Sequence, residues 1–357
     1  MKSKECVMEL PAVKGIQAGK PYYTVMCPLH MVAKFFTYTD NTLPPDMRVQ
    51  RVLNKQRIPE MREYILTNRD SYVFSALTAS VDGDLDFVPI KVGESTGQLK
   101  ISMNSRIIIN DGQHRRAAIE AALEDCPDLR YEDISIVIYY DLGLERSQQM
   151  FTDLNRYAIR PTKSLNILYD NRDAFSILVK ECISQIPMFN GSVENEKSTI
   201  SNRSKALFTL SGIFHATKLL LRGVDINETD VRETIIAFWN AVAKNVLPWS
   251  EAKKRNISPD EFRQKYICAH AITVKALGDI GNTLLISTPD KKEWVNKLNF
   301  LQKMDWDKKS KDLQGLVMVN GRISSAASNQ KAFAEYLIKK SNWSNAPKGV
   351  HHESDKK

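Results

Sequence analysis

The sequence lacks any long hydrophobic run: no stretch of its 357 residues approaches the ~18 consecutive apolar residues that a membrane-spanning helix needs. The first residues, M-K-S-K-E-C, mix acidic and basic side chains without an apolar core, so they do not form a secretory signal. We therefore expect a cytoplasmic protein without a membrane segment.

Cysteine is scarce, odd in number and without C-x-x-C spacing, which argues against a disulfide framework and against a zinc site. The five cysteines are Cys6, Cys27, Cys126, Cys182 and Cys268. Cys27 lies three residues before His30, and a thiol near an imidazole can be a reactive thiolate. A packed, unreactive cysteine is the favoured alternative, and the scattered set as a whole fits a reducing compartment.

Net charge is missing from the first half. Residues 1–165 hold 21 basic and 21 acidic side chains, whereas the rest of the chain holds 29 basic and 21 acidic ones and so carries the whole net charge of +8. Such asymmetry favours a polyanionic partner for the second half, with nucleic acid first. A lysine-rich, solvated helical surface is an equally weighted explanation.

The first ~165 residues alternate strand and helix patterns, which predicts a small mixed sheet with helices. Pro89 within the first predicted strand indicates an edge strand or a bulge, because proline cannot donate to a central ladder. The predicted strands are Leu85–Val92, Leu99–Met103, Arg106–Asn110 and Ile134–Tyr140, and the predicted helices are Arg57–Asn68, Gln113–Cys126 and Leu144–Tyr157.

From Lys163 onward the apolar spacing is almost wholly helical. Ser258, followed by Pro259 and then Glu261, is a capping box with proline at the first helical position. The predicted helices are Ser204–Leu221, Glu228–Val246, one from Ser258 towards Leu277, Trp294–Leu301 and Ala326–Leu337. The predicted class is α+β, with a mixed-sheet domain at 1–165, an all-helical basic domain at 166–341 and a flexible tail at 342–357.

Residues 110–119, N-D-G-Q-H-R-R-A-A-I, place positive charge at the start of a predicted helix, where the backbone dipole disfavours it. A phosphate would resolve the mismatch, because free main-chain N–H groups, Arg115 and Arg116 would then attract the same anion. Gly112 allows the sharp turn, and His114 could donate a hydrogen bond or carry a proton. Asp111 could orient His114 or an arginine, or it could hold a divalent cation. An exposed surface helix with Asp111 as its N-cap is the alternative.

The pentapeptide D-G-Q-H-R at 111–115 resembles the signature of the DGQHR-domain family, whose best-known members are the DndB proteins of bacterial DNA phosphorothioation gene clusters. Further similarity lies in Arg57 and its helix, in Phe151–Asn155 followed by Arg160-Pro161-Thr162, and in S-K-A-L-F-T-L at 204–210. The resemblance covers roughly residues 45–215. It is carried by a short but well-placed motif.

The DGQHR domain in turn is similar to the ParB/sulfiredoxin fold, where a G-x-x-R turn at a helix start holds nucleotide phosphates. The resemblance implies an ATP site, with or without Mg²⁺. We predict no dedicated metal site. The implied nucleotide-binding residues are Gly112, Gln113, His114, Arg115, Arg116, Asn155 and Arg57. The ParB pattern has Glu or Cys where this chain has Gln113 and His114, so the base identity and any hydrolysis are left open.

Resemblance to DndB implies a transcriptional repressor that binds double-stranded DNA at its own operon promoter and is modulated by ATP. Other DNA sulfur-modification proteins and a second copy of the chain are further expected partners. Lysine and arginine clusters are candidates for contact with the DNA phosphates, although a solvated surface is the favoured alternative for each cluster. The candidates are Lys253, Lys254 and Arg255 first, then Arg203 and Lys205, and then Lys308, Lys309 and Lys311.

Two alternatives remain open. In the first alternative, the chain is a nucleotide hydrolase or DNA-processing enzyme in which Asp111 and His114 perform acid–base chemistry. It has no G-x-x-x-x-G-K-[ST] loop, so such hydrolysis would not follow P-loop mechanics. The other alternative is a scaffold for the modification proteins with a vestigial phosphate site.

Overall fold

A computed structural model describes residues 6–35, 53–140, 144–156, 160–224, 230–341 and 343. The chain forms two compact units, residues 1–159 and 160–357. The predicted order, a mixed sheet with helices followed by a helical region, is confirmed. Most of the predicted tail at 342–357, the predicted helix end at Tyr157 and the predicted helix start at Glu228 lie outside the described residues.

The first unit, the sheet unit, is built on one seven-stranded sheet. Its strands are β1 Val7–Gln17, β2 Lys20–Pro28, β3 Leu77–Asp82, β4 Leu85–Pro89, β5 Thr96–Ser102, β6 Arg106–Asp111 and β7 Asp133–Tyr140, and its helices are α1 Leu29–Phe35, α2 Ile58–Thr67, α3 Gln113–Asp125 and α4 Leu144–Arg156, with 3₁₀ turns at Lys55–Arg57 and Pro127–Tyr131.

The strand order is β4-β5-β1-β2-β7-β3-β6, and only the β3–β7 pair is parallel among these ladders. Pro89 ends β4 at the edge of this sheet, as its missing N–H predicts. Strand β6 forms the other edge, and α4 lies against it. Helix α3 follows β6 directly and returns the chain to β7, so the D-G-Q-H-R turn sits at the end of a buried strand.

Strands β1, β2 and β3 were not predicted. The β1–β2 hairpin turns through Ala18 and Gly19, both at positive φ, in a two-residue loop of the kind that matches strand twist. Alanine is uncommon at such a φ, and Pro11 within β1 further weakens the strand pattern. Burial of alternate β1 residues, beginning with Met8 and Leu10, selects the strand in the folded chain.

The second unit, the helical unit, contains α5 Lys163–Tyr169, α6 Ala174–Gln185, α7 Leu210–Leu220, α8 Val231–Asn245, α9 Leu247–Lys253, α10 Pro259–Lys265, α11 Ala271–Ser287, α12 Trp294–Lys297 and α13 Ala327–Ser341. Two short strand pairs accompany them, β8 Val193–Glu194 with β9 Phe208–Thr209 and β10 Met318–Val319 with β11 Arg322–Ile323, as do 3₁₀ turns at Ile267–Ala269, Lys291–Glu293, Asn299–Lys303 and Lys311–Leu313. The strand pairs are an addition to the predicted all-helical architecture.

The helix predicted from Ser258 to Leu277 is broken into three pieces. Its start is confirmed, because the Ser258 hydroxyl accepts a hydrogen bond from the Glu261 N–H at 3.1 Å. Tyr266 is extended, and the N–H of Ile267 donates to the carbonyl of Trp306 at 2.9 Å. Pairing with the 306–308 segment therefore competes successfully with continued helix at this point.

The helix predicted from Ser204 begins only at Leu210. Phe208 and Thr209 form β9, which pairs with β8, and the Thr209 hydroxyl then caps the Gly212 N–H at 3.1 Å. Four tryptophans of this unit are buried: Trp239, Trp249, Trp294 and Trp306. None of the described helices has both the length and the apolar content needed to cross a bilayer.

Candidate functional site

The turn at Asp111–Gly112 requires glycine. Gly112 has φ +100°, and a Cβ there would lie 2.4 Å from Leu77 Cδ2. The first helical bond of α3 runs from the Arg116 N–H to the Gly112 carbonyl at 2.9 Å. Gly112 cannot cap the helix with a side chain, and the first turn of α3 has no acidic residue. The helix start therefore keeps a positive dipole end without an internal anionic cap.

Arg115 holds the turn to the neighbouring strand. Its Nη2 donates to Asp111 Oδ2 at 2.7 Å, and its Nη1 donates to the carbonyl of Ala76 at 2.8 Å and to Ser75. The side chain is only 14% exposed. The guanidinium thus binds the segment that leads into β3, and it lies at the helix start where a phosphate site was predicted.

Arg116 is also directed into the protein. It is buried, its Nη1 donates to Glu120 Oε2 at 2.8 Å, and its Nη2 donates to the carbonyl of Ala33 at 2.7 Å. Arg116 therefore ties α3 to α1. The two arginines that made the motif conspicuous in the sequence both carry structural hydrogen bonds.

His114 and the 54–57 segment meet at the same helix start. The main-chain N–H of Asn54 donates to His114 Nε2 at 3.0 Å, so this nitrogen is the acceptor and the ring carries its proton on Nδ1. Asn54 also caps the short 3₁₀ turn that contains Arg57, whose side chain is exposed. The structure therefore brings Arg57 into the neighbourhood of the motif, although 57 residues separate it from His114 in sequence.

Asn155 and Gln113, two of the predicted nucleotide-binding residues, are not fully exposed. Asn155 lies near the end of α4, and its Nδ2 donates to the carbonyl of Phe151 at 2.8 Å. Gln113 is buried. Within the described part of the chain, no group of three or more His, Cys, Asp and Glu side chains is assembled that could hold a metal ion.

Two basic clusters that are 50 residues apart in sequence meet in the helical unit. Arg255 Nη1 donates to the carbonyl of Lys205 at 3.3 Å, and Arg255, Lys205, Lys254 and Arg203 are all exposed. We call these four residues the basic surface. Arg255 itself adopts φ +67°, which turns the chain sharply between α9 and α10. Four cations on one exposed surface form a candidate nucleic-acid interface.

Lys253, predicted with this group, points inward instead. Its Nζ donates to the carbonyl of Asn190 at 2.6 Å and to Ser192 Oγ at 2.7 Å, and burial lowers its pKa. Lys308 behaves in the same way, because its Nζ donates to the carbonyl of Arg263 and burial lowers its pKa. Lys309 and Lys311 are exposed.

Cys27 lies in the core of the sheet unit, and burial, reinforced by Asp133, raises the pKa of its thiol to about 12. It is therefore a packed thiol at neutral pH. His30 Nδ1 instead lies 2.9 Å from the carbonyl of Arg130.

The helical unit also contains a cavity of about 450 Å³ that no sequence motif indicates, lined in part by Arg263, His270 and Lys275. These residues occupy two helices and the turn between them, with no recognisable motif spacing. Only the break between α10 and α11 brings them to one space.

Comparison with known proteins gives one clear family assignment. Residues 10–344 match the model of the DndB family, described as DNA-sulfur modification-associated. Neither the curated proteins nor the solved structures yield a match to the chain. The family match covers both compact units, including the D-G-Q-H-R turn and the basic surface. The chain therefore belongs to the DndB family and is associated with the DNA sulfur-modification system.

Proposed function

We propose that the chain is a DNA-binding transcriptional repressor of the DNA phosphorothioation (dnd) genes. It binds its own promoter through the helical unit, and ATP at the D-G-Q-H-R turn modulates that binding. The observation that carries the DNA-binding part is the basic surface, where Arg203, Lys205, Lys254 and Arg255 are exposed together. Such a surface gives affinity for phosphates and a steep salt dependence.

For the nucleotide, the geometry supports a division between structural and ligand-facing groups at the turn. Arg115 and Arg116 hold the turn in place through protein contacts. The uncapped N–H groups of α3 and the exposed Arg57 are then the groups that would meet phosphate oxygens. Asp111 is ion-paired with Arg115, which favours ligand holding over acid–base chemistry by this carboxylate.

The DNA-binding part is tested by fluorescence anisotropy with labelled promoter DNA across a salt series. Lys205→Glu combined with Lys254→Glu is expected to weaken promoter binding at least about tenfold and to reduce the slope of log affinity against log salt by about 2. The matched control is Lys20→Glu combined with Lys244→Glu, two exposed lysines elsewhere with the same change in net charge. Equal loss in both double variants would contradict a localised interface.

The nucleotide part is tested in the same assay with and without ATP. ATP is expected to shift the promoter affinity of the wild-type protein, and Arg57→Ala is expected to remove that shift while leaving ATP-free binding within about twofold. Phosphate release measured on the same samples addresses the enzyme alternative. Turnover well above that of His114→Ala, without preference for promoter DNA, would replace the repressor proposal with the hydrolase.

A further inference from the structure

The cavity in the helical unit lies where α7 and α11 both begin. Gly212 of α7 and Thr209 just before it line the cavity on one side, and Ala271 and Ile272 of α11 and His270 just before them line it on the other. Its volume is about 450 Å³, within the range of ~300–1,000 Å³ that is usual for small-molecule sites. Among the described residues that line it there is no Asp or Glu.

The two helices run in the same direction away from this cavity. A Cβ built on Gly212 would lie 3.5 Å from that of Ala271, and further along Asn282 Nδ2 donates to the carbonyl of Leu220 at 2.9 Å. Helix dipoles that are side by side and parallel place their positive ends together. The positive ends of an 11-residue and a 17-residue helix therefore add at the cavity.

No anionic cap from the described part of the chain neutralises these ends. Neither helix has an acidic residue in its first turn. Thr209 caps one N–H of α7, but His270 provides no side-chain cap for α11. Among the described residues, the main-chain N–H groups of Ala271 and Ile272 have no acceptor. These are the donors that bind a phosphate at a helix start.

Two cations at the cavity also lack a carboxylate partner among the residues that the structure describes. Lys275 is half-buried and forms no ion pair or hydrogen bond with a described residue, and burial together with Lys163 lowers its pKa. Arg263 is 6% exposed, and the carboxylate of Asp260 is beyond ion-pair distance. The guanidinium donates only to main-chain carbonyls, those of Ala206, Asn202 and Ser204. Burying cations without a counter-charge is costly, and an anion in the cavity would offset that cost.

Part of the remaining wall is apolar, with Ile200, Phe208, Ile213 and Ile323, and the rest carries the neutral polar side chains of Ser198, Thr199, Ser324, Ser325 and Gln330. A bare inorganic anion would leave this wall unused. We propose that the cavity binds a small phosphomonoester that carries a ring system, of the size of a nucleoside monophosphate. This site is in a different unit from the D-G-Q-H-R turn and does not rest on the proposed function.

Tryptophan fluorescence and titration calorimetry of the full chain test the site with AMP, inorganic phosphate and adenosine as probes. Phe208 lies with its ring centroid 4.6 Å from that of Trp249, so a ligand against Phe208 is expected to change the emission. AMP is expected to bind, with phosphate alone and adenosine each about tenfold weaker or more. Equal binding of adenosine and AMP would overturn the proposal, as would no binding of AMP at about 5 mM.

Two variants locate the site. Lys275→Gln is expected to weaken AMP binding about tenfold or more, whereas Lys218→Gln, an exposed lysine on α7, changes it less than about twofold. Lys275→Gln removes a half-buried charge, so its melting temperature should not fall. Ala271→Glu places a carboxylate at the start of α11, where it stabilises the helix and excludes the anion.

Unchanged AMP affinity in both Lys275→Gln and Ala271→Glu would overturn the proposal. Loss of AMP binding in Arg57→Ala with retention in Lys275→Gln would also overturn it, because the ligand would then lie at the D-G-Q-H-R turn. That last outcome would support the ATP part of the proposed function, so failure of one proposal is distinguishable from failure of the other.

Discussion

The starts of α3 and α11 can be compared directly, because both helices begin without an acidic residue in the first turn and with arginine nearby. At α3, Arg115 and Arg116 donate to carboxylates and main-chain carbonyls of the sheet unit. At α11, Arg263 reaches only carbonyls and Lys275 reaches no described partner. Cations at a helix start can therefore either hold neighbouring segments together or remain available to an anionic ligand. Only the hydrogen-bond and ion-pair partners of these cations distinguish the two cases.

In the most conspicuous motif of the sequence, D-G-Q-H-R, the arginine side chain already donates hydrogen bonds to groups of the protein. Arginine carries five donors in a rigid fork, and at Arg115 they satisfy several acceptors around one turn. A motif of this kind can be required for the fold whether or not it also contacts a ligand. Substitution of Arg115 therefore tests stability before it tests nucleotide binding.

The largest expected effect is that of Gly112→Ala. The new Cβ would meet Leu77 at 2.4 Å and force a positive φ on alanine, so we expect a loss of about 2–4 kcal/mol in the free energy of unfolding of the sheet unit. Gly93→Ala is the matched control, since Gly93 has φ +86° but open space, and it should cost about 1 kcal/mol.

Urea unfolding separates the two units optically for this measurement. All five tryptophans lie between residues 239 and 343, in the helical unit, so their fluorescence follows that unit alone, whereas circular dichroism follows both. We expect Gly112→Ala to shift only the transition seen by circular dichroism. Equal costs for the two glycine substitutions would show that the contact with Leu77 relaxes freely.

Arg115→Lys is expected to destabilise the sheet unit by about 1–3 kcal/mol. A single ammonium group cannot donate to Asp111 and to the Ala76 carbonyl in the same geometry, which leaves a half-buried acceptor unsatisfied. The control Arg57→Lys, at an exposed arginine, should stay within about 0.5 kcal/mol. Wild-type stability of Arg115→Lys would mean that the guanidinium serves a ligand more than the fold.

The smallest effect is a pH dependence of the helical unit. Burial, with Lys308 and Arg263 nearby, lowers the pKa of His270 to about 4, so the folded state keeps this ring neutral while the unfolded chain binds a proton below about pH 6.5. Stability conferred by His270 is therefore present above that pH and is lost as the pH falls towards 4. We expect a loss of about 1 kcal/mol between pH 6 and 5 from tryptophan-monitored unfolding.

His270→Gln should flatten this pH dependence, because glutamine can still donate to the Arg263 carbonyl but does not titrate. Part of the slope should persist, since burial also lowers the pKa of His215. An unchanged slope in His270→Gln would assign the whole effect to other groups.

Local signals predicted the parts of the fold that local energetics decide. The Ser258 capping box, the edge position of Pro89 and the β6–turn–α3 unit all follow from the residues themselves. The break at Tyr266 and the late start of α7 do not, because pairing with residues 306–308 and with β8 decides them. At the candidate sites, the sequence predicted the strand–turn–helix geometry around D-G-Q-H-R, and its role in nucleotide binding stays a prediction. The inward orientation of Lys253 and the cavity arise only from tertiary packing.

The close contact between α7 and α11 limits how the helical unit can respond to anything that binds it. A Cβ on Gly278 would lie 2.0 Å from the Ala216 carbonyl oxygen, so the two backbones touch with no side chain between them. Helices in such contact cannot slide past one another, because the next residue in register would collide. We therefore expect the two helices to move together as one rigid body, so that a displacement at one end of the pair also displaces the other end.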